Sequence, residues 1–252
     1  MNKVLLLDIE TSPNVAYVWK AWKENISDAQ MIERGGIICY AAKWLNKDEV
    51  WCVTDTTLHN EKQLLLSIHK DLDEAEIVIT HNGKKFDIPY IFTRMAIHGI
   101  APPSPFRQVD TYLIARKSFK FMTNRLSTLA KELNVKPKLK HSKFPGFSLW
   151  AECLKGNLDA WNEMREYNIG DVKTLEEVYL ALLPYIDNHP HVGADKEGVV
   201  CPKCGSDHIQ WRGFSTSNVG IRRRRFQCQS CGGWGRSANT DKEIVKNKGR
   251  NA

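Results

Sequence analysis

The stretch VLLLDIETSP, residues 4–13, limits the fold more than any other part of the chain. Val4, Leu5, Leu6, Leu7 and Ile9 leave no polar face, which predicts a strand covered on both sides. Side chains alternate along a strand, so Asp8 and Glu10 point the same way. Two like charges then stand side by side in a dry place. Each buried ion costs on the order of several kcal/mol, whereas a whole domain is stable by only about 5–15 kcal/mol. Three arrangements would offset that cost: a pair of basic side chains, a shared proton, or metal ions.

Downstream, the apolar segments GIICYAAKWL (36–45) and EVWCVT (49–54) flank NKD, which has turn composition, and read as a hairpin. Residues 16–36 precede them as a long excursion without a clear period. Helical spacing over 60–75 leads to a short strand at 76–80, then to a helix over 87–99 that closes at Gly99. Two further helices are predicted over 109–119 and 125–135, a basic, proline-bearing loop over 136–147, and a last helix from about Leu158 to Ile186. This order predicts an α/β fold with a mixed sheet. At 252 residues and 42% hydrophobic composition, the chain can build one ordinary domain plus a small one. No apolar run approaches a membrane span, and no basic segment leads into a long apolar one near Met1, so a cytoplasmic setting without membrane partners is expected.

Charge is unevenly spread. From Lys196 onward there are 12 Lys and Arg against 4 Asp and Glu; residues 1–195 carry 24 against 25. A small basic module beside a near-neutral larger one points to a polyanion partner, most often nucleic acid. The boundaries expected are a first domain over 1–186, a linker over 187–198, a small domain over 199–238 and a polar tail over 239–252.

Cysteines divide in the same way. Cys39, Cys52 and Cys153 sit in apolar surroundings and read as core residues. Cys201, Cys204, Cys228 and Cys231 form two C-x₂-C-G knuckles, the pattern of a Cys₄ zinc ribbon holding one structural Zn²⁺. Disulfides or a redox pair are the alternatives, and a cytoplasmic setting disfavours both. Gly205 and Gly232 stand where each knuckle must turn back. About forty residues build too small a core to fold alone, so the metal would supply folding free energy. Between the knuckles Arg222, Arg223, Arg224 and Arg225 run in sequence, with Trp211 and Phe226 near them. On a strand, alternate arginines face opposite sides, and arginines with aromatics suit phosphate contact and base stacking better than a merely solvated face. His189 and His191 lie in a loop and are read as non-ligands.

Further acids follow. Asp87, in HNGKKFD, opens a helix just past a strand end, either as a cap or as a ligand-facing acid. Gly83 in that loop permits close backbone approach. Tyr167 and Asp171, in YNIGD, share one helix face a turn apart. Asp110 reads as a helix N-cap. Lys138, Lys140, His141 and Lys143 read as a solvated loop, with phosphate contact the lesser alternative.

Taken in order, DIET, HNGKKFD and YNIGD resemble the three exonuclease motifs of the DEDD (DnaQ-like) superfamily. Tyr four residues before the last Asp resembles the tyrosine subtype, as in the proofreading domain of B-family DNA polymerases. The likeness covers roughly residues 1–186; the excursion after the first strand and the Lys138–Lys143 loop fall outside it. With its cysteine-rich end, the layout is similar to stand-alone exonuclease-like proteins of bacteriophages. The resemblance implies an RNase H-like fold, a mixed five-stranded sheet flanked by helices, and 3′→5′ exonuclease action on nucleic acid, DNA favoured over RNA. It implies Asp8, Glu10, Asp87 and Asp171 as ligands of two Mg²⁺ (or Mn²⁺) ions, with Tyr167 orienting the attacking water. Two such ions about 3.5–4 Å apart stabilise the attacking and leaving oxygens of an in-line displacement. Asn82 and Phe86 are candidates for supporting the acids or stacking a base. An exoribonuclease, a structure-specific endonuclease and a retired nuclease acting as a binding protein remain alternatives.

Overall fold

The first strand, β1 (Val4–Thr11), is buried from Val4 to Leu7 and again at Ile9, with both faces covered as its sequence requires. The computed structural model describes residues 3–135, 143–217 and 220–238. It contains two compact units, Lys3–Val178 and a second beginning at Tyr179.

In the first unit a small hairpin, β2 (Val15–Ala16) and β3 (Met31–Glu33), lies within the excursion after β1. The expected hairpin is β4 (Ile37–Trp44) and β5 (Trp51–Thr54). Then come α1 (Glu61–Glu74), β6 (Ile77–Thr80), α2 (Asp87–Ile97), β7 (Arg107–Asp110), α3 (Thr111–Ser118), α4 (Leu126–Glu132), α5 (Ser148–Leu154) and α6 (Leu158–Leu182). The sheet has five strands in the order β5-β4-β1-β6-β7. β1 pairs antiparallel with β4 and parallel with β6, so the sheet is mixed as expected.

The two faces of β1 have different companions. Leu5, Leu7 and Ile9 pack with Leu64, Leu65, Ile68 and Leu72 of α1 and with Ile88, Ile91 and Met95 of α2. On the other face Ile38 and Cys39 of β4 pack with Leu149 and Cys153 of α5 and with Ala160, Trp161 and Met164 of α6. Cys39 lies opposite Glu10 in the β1–β4 register. Asp8 and Glu10 therefore share the face that α6 covers.

Two elements differ from the sequence reading. Val109 and Asp110 end β7 (Arg107–Asp110) rather than start the helix expected over 109–119: the parallel pairing of Ile77–Thr80 with Arg107–Asp110 decides this, and RQVD is too short and polar to show a period. Ser148–Leu154 forms α5, a seven-residue helix that was not expected. Lys138, Lys140, His141 and the tail 239–252 lie outside the described residues. Lys143 pairs with Asp159.

Glu61, at the start of α1, ties three elements together. Its carboxylate accepts the Ile37 amide at 2.8 Å, Arg94 Nε at 2.7 Å and Arg94 Nη2, and meets His98 Nε2 at 2.8 Å. Burial alone would raise its pKa; Arg94, the Ile37 amide and His98 outweigh that and hold the carboxyl below its usual value. A depressed folded pKa contributes stability above the unfolded value of about 4.3, and that contribution is lost as pH falls through the folded value. Glu61→Gln is expected to lower stability at neutral pH by about 1–3 kcal/mol. Urea denaturation across acid and neutral pH checks this, and the gap to the parent should close below about pH 4.

The second unit carries a three-stranded sheet, β10-β9-β8, formed by β8 (Ile209–Thr216), β9 (Arg222–Cys228) and β10 (Trp234–Arg236). Among the described residues no helix is long and apolar enough to cross a membrane.

Candidate active site

Three of the predicted acids converge. One carboxylate oxygen from each of Asp8, Glu10 and Asp171 lies within 4.8 Å of the others. Asp8 and Glu10 come from one face of β1; Asp171 comes from the facing side of α6, where it is only 6% exposed. Tyr167, one turn earlier, directs its hydroxyl to Asp171. Burial first, then Asp171, Glu10 and Asp8, push the Tyr167 pKa far up, so the hydroxyl keeps its proton.

The fourth acid is placed differently from the expected four-way convergence. Asp87 opens α2 and is 4% exposed, but it stands outside the three-carboxylate group. Its Oδ1 accepts the backbone amide of Ile9, between the two β1 acids, at 3.3 Å. The cause lies in the sheet: β1 runs on past the last paired residue, Leu6, of its ladder with β6, and the Asp87 side chain takes up an amide there. Burial raises the Asp87 carboxyl to about 7 against the lowering effect of the Ile9 amide, and Asp110 adds to the rise.

Asp110 is the N-cap the sequence suggests, accepting the amides of Tyr112 and Leu113. It also binds the Asn82 amide at 2.9 Å and the Lys84 amide at 3.1 Å, which pins the loop leading to Asp87. Asn82 adopts a left-handed φ of 68°. Gly83 is required by close approach, since a Cβ there would fall 2.4 Å from Thr80. Phe86 is 44% exposed, with its ring 5.7 Å from that of Tyr90. His81 is held between Thr111 Oγ1 and the Asn124 carbonyl.

Three features escaped the sequence reading. Asn168, fully buried on α6, donates Nδ2 to Asp8 Oδ2 at 2.7 Å and fixes that carboxylate. Its place directly after Tyr167 was the only available signal. Thr11, Ser12 and Pro13 line a cleft of about 360 Å³ with Phe147 and Trp150, and Trp150 meets the Tyr167 ring edge-on at 5.9 Å. In the excursion, Trp19 and Trp22 are 89% and 85% exposed beside Lys20 and Lys23. The Glu24 carboxylate holds that turn by accepting the Trp19 and Lys20 amides.

In the second unit the four sulfurs of Cys201, Cys204, Cys228 and Cys231 lie within 4.8 Å of one another, and all seven cysteines are free. Cys201–Cys231 and Cys204–Cys228 are each 3.6 Å apart, far beyond a disulfide. Four thiolates about 2.3 Å from a tetrahedral ion stand about 3.8 Å from each other, so the spacing fits one bound metal. Gly205 and Gly232 turn back at φ of 71° and 74°, and their amides reach the Cys201 and Cys228 carbonyls. Burial would raise Cys228; the amides of Cys231 and Ser230 outweigh it and bring the thiol down to about 7. His189 uses both ring nitrogens, on Tyr179 Oη and the Pro190 carbonyl.

On β9, Arg222 lies over the Phe214 ring at 4.0 Å, Arg224 over Trp211 at 4.4 Å and Arg225 over Trp234 at 5.2 Å. Trp211 also meets Phe226 edge-on at 5.5 Å.

Comparison with known proteins agrees with this architecture. No curated protein sequence matches. Among solved structures, the family B DNA polymerase of the hyperthermophilic archaeon Pyrobaculum calidifontis matches with a TM-score of 0.50 at 14% identity, over 73% of this chain. The match spans about a quarter, 26%, of the polymerase chain. The sequence model of the RNase_H superfamily (RNase_H_2) matches residues 7–183, well over half of the chain, and that range contains the three converging carboxylates, Asp87 and the five-stranded sheet apart from Val4–Leu6 of β1. The chain belongs to the RNase_H superfamily.

Proposed function

We propose that this chain hydrolyses nucleic acid from a 3′ end, releasing nucleoside monophosphates, with DNA favoured over RNA. The observation that carries the reading is the convergence of Asp8, Glu10 and Asp171 on one side of an RNase H-like sheet. Oxygen-only donors of this kind suit Mg²⁺ or Mn²⁺. Asp8, Glu10 and Asp171 would hold the ions, with Asp87 as the fourth carboxylate. Bound ions would supply Lewis-acid stabilisation of the charge that develops on the phosphodiester.

The chain's own residues supply position. Asn168 fixes the rotamer of Asp8. Asp110 fixes the loop that presents Asp87. Tyr167, kept protonated, offers a hydroxyl that orients the attacking water. The cleft bordered by Phe147 and Trp150 begins at the residue after Glu10 and suits the flat face of a nucleobase. Trp19 and Trp22, interleaved with Lys20 and Lys23, offer stacking and charge of the kind that single strands use. A structural Zn²⁺ in the Cys₄ group would hold the ribbon, part of whose arginine run adds affinity for the strand.

End-labelled single- and double-stranded DNA and RNA, digested with and without Mg²⁺, test the reading. A ladder that shortens from the 3′ end supports it, and internal cuts or an undigested strand overturn it. Tyr167→Phe is expected to slow single-turnover hydrolysis by about 10²-fold while metal affinity holds. An unchanged rate would remove Tyr167 from the mechanism.

A further inference from the structure

β9 divides its four arginines between the two faces of the ribbon sheet. Residues paired across strands share a face: Arg223 stands with Ser215, and Arg225 with Arg236, whereas Arg224 stands with Phe214. The two faces are used differently. Arg222 and Arg224 already cover the rings of Phe214 and Trp211. Arg223, Arg225 and Arg236 border a cavity of about 710 Å³, together with Ser215, Lys203 and Trp234. That volume lies inside the range of about 300–1,000 Å³ typical of ligand sites.

The cavity is built for an anion. Its lining includes three arginines and Lys203, whose ammonium donates to the Pro184 carbonyl, against a single carboxylate, Asp187. Arg223 Nε is buried with no hydrogen-bond partner. A buried donor left in that state is costly, and charge-assisted bonds from a phosphate to the Arg223 guanidinium would offset part of that cost. Arg225 is braced by its Nε bond to the Arg212 carbonyl at 2.8 Å. The Trp234 indole beneath it is 45% exposed and presents a face for stacking.

We propose that Arg223, Arg225 and Arg236, with Trp234, hold the phosphodiester backbone of a single nucleic-acid strand, one base resting on the indole. Arg222 and Arg224 instead serve the fold of the ribbon. This rests on reading the chain as a nucleic-acid enzyme, and it assigns the strand to a face that includes two residues, Trp234 and Arg236, that the sequence did not single out.

The test is fluorescence anisotropy with a labelled oligothymidylate. It uses the full zinc-loaded chain carrying Asp8→Asn, without added divalent ions and over a range of salt. Arg223→Gln and Arg225→Gln should each weaken binding about tenfold and lower the slope of log affinity against log salt by about one. Arg223→Lys should restore the slope, since it keeps the charge. Trp234→Ala should weaken binding with the slope unchanged. Arg222→Gln should change affinity by no more than about twofold. Zinc content, measured on every variant, identifies any that fail to fold. The inference falls if Arg223→Gln and Arg225→Gln bind as the parent does, or if Arg222→Gln loses more than they do; the nucleic-acid reading survives either result. Competition by inorganic phosphate or a nucleoside monophosphate at equal phosphate concentration would make this a small-anion site and also overturn the inference. A parent that does not bind the strand at all sinks both readings.

Discussion

Replacing Asp8 with asparagine is expected to abolish metal-dependent digestion and, in metal-free protein, to raise the melting temperature. Both effects have one cause. Asp8, Glu10 and Asp171 bring three carboxylates within 4.8 Å of one another. Two unit charges at such a distance repel by about 3–4 kcal/mol at an effective dielectric of 20. Solvent reaches Asp8 and Glu10, both only half-buried, and screens part of this. A gain of about 1–3 kcal/mol, or roughly 2–12 °C, is left for the variant. Asparagine keeps the shape, and its amide can still meet Asn168. It loses the charge that would hold a divalent ion, and the rate should fall at least about 10³-fold, near 4 kcal/mol of barrier. Differential scanning fluorimetry with and without Mg²⁺ separates the two: Mg²⁺ should stabilise the parent and hardly move the variant. Digestion within about tenfold of the parent would sink the metal role of this cluster.

Removal of the zinc proposed for the Cys₄ group has a different signature. Stripping zinc with a chelator, or Cys228→Ser, should unfold the ribbon and leave the Lys3–Val178 unit intact. The ribbon's buried apolar residues are few, chiefly Val192, Val200 and Phe226. Structural zinc contributes on the order of 10–16 kcal/mol in small domains of this kind, more than such a core can replace. Hydrogen exchange should show amide protection lost from β8 to β10 and kept in β1, β4 and β6, with one equivalent of zinc released per chain. Unchanged protection in the ribbon after chelation, or purified protein free of zinc, would show that the sulfurs serve another end.

The reach of the sequence reading differs from residue to residue. The shared direction of Asp8 and Glu10 follows from the period of two along a strand, and β1 has it. Tyr167 and Asp171 sit four apart on α6, and the helix alone brings them together. The Cys knuckles close over a few bonds, with glycine at the turn. Asp87 shows where this stops. Its helix was legible, but its carboxylate lies on the Ile9 amide, seventy-eight residues away in the chain. β7 showed only as a strand end near Asp110 for the same reason, since RQVD becomes a strand only when β6 lies beside it.

The sequence by itself determined which side chains share a face or a knuckle, because covalent spacing and the periods of strand and helix set those relations within a few residues. The tertiary structure alone decided which acids meet, that Asn168 steers Asp8, and that Arg223 and Arg225 border a cavity, Arg225 over the Trp234 ring, while Arg222 and Arg224 cover Phe214 and Trp211. Those relations depend on where one strand stops beside another and on contacts between distant segments, which no local period encodes.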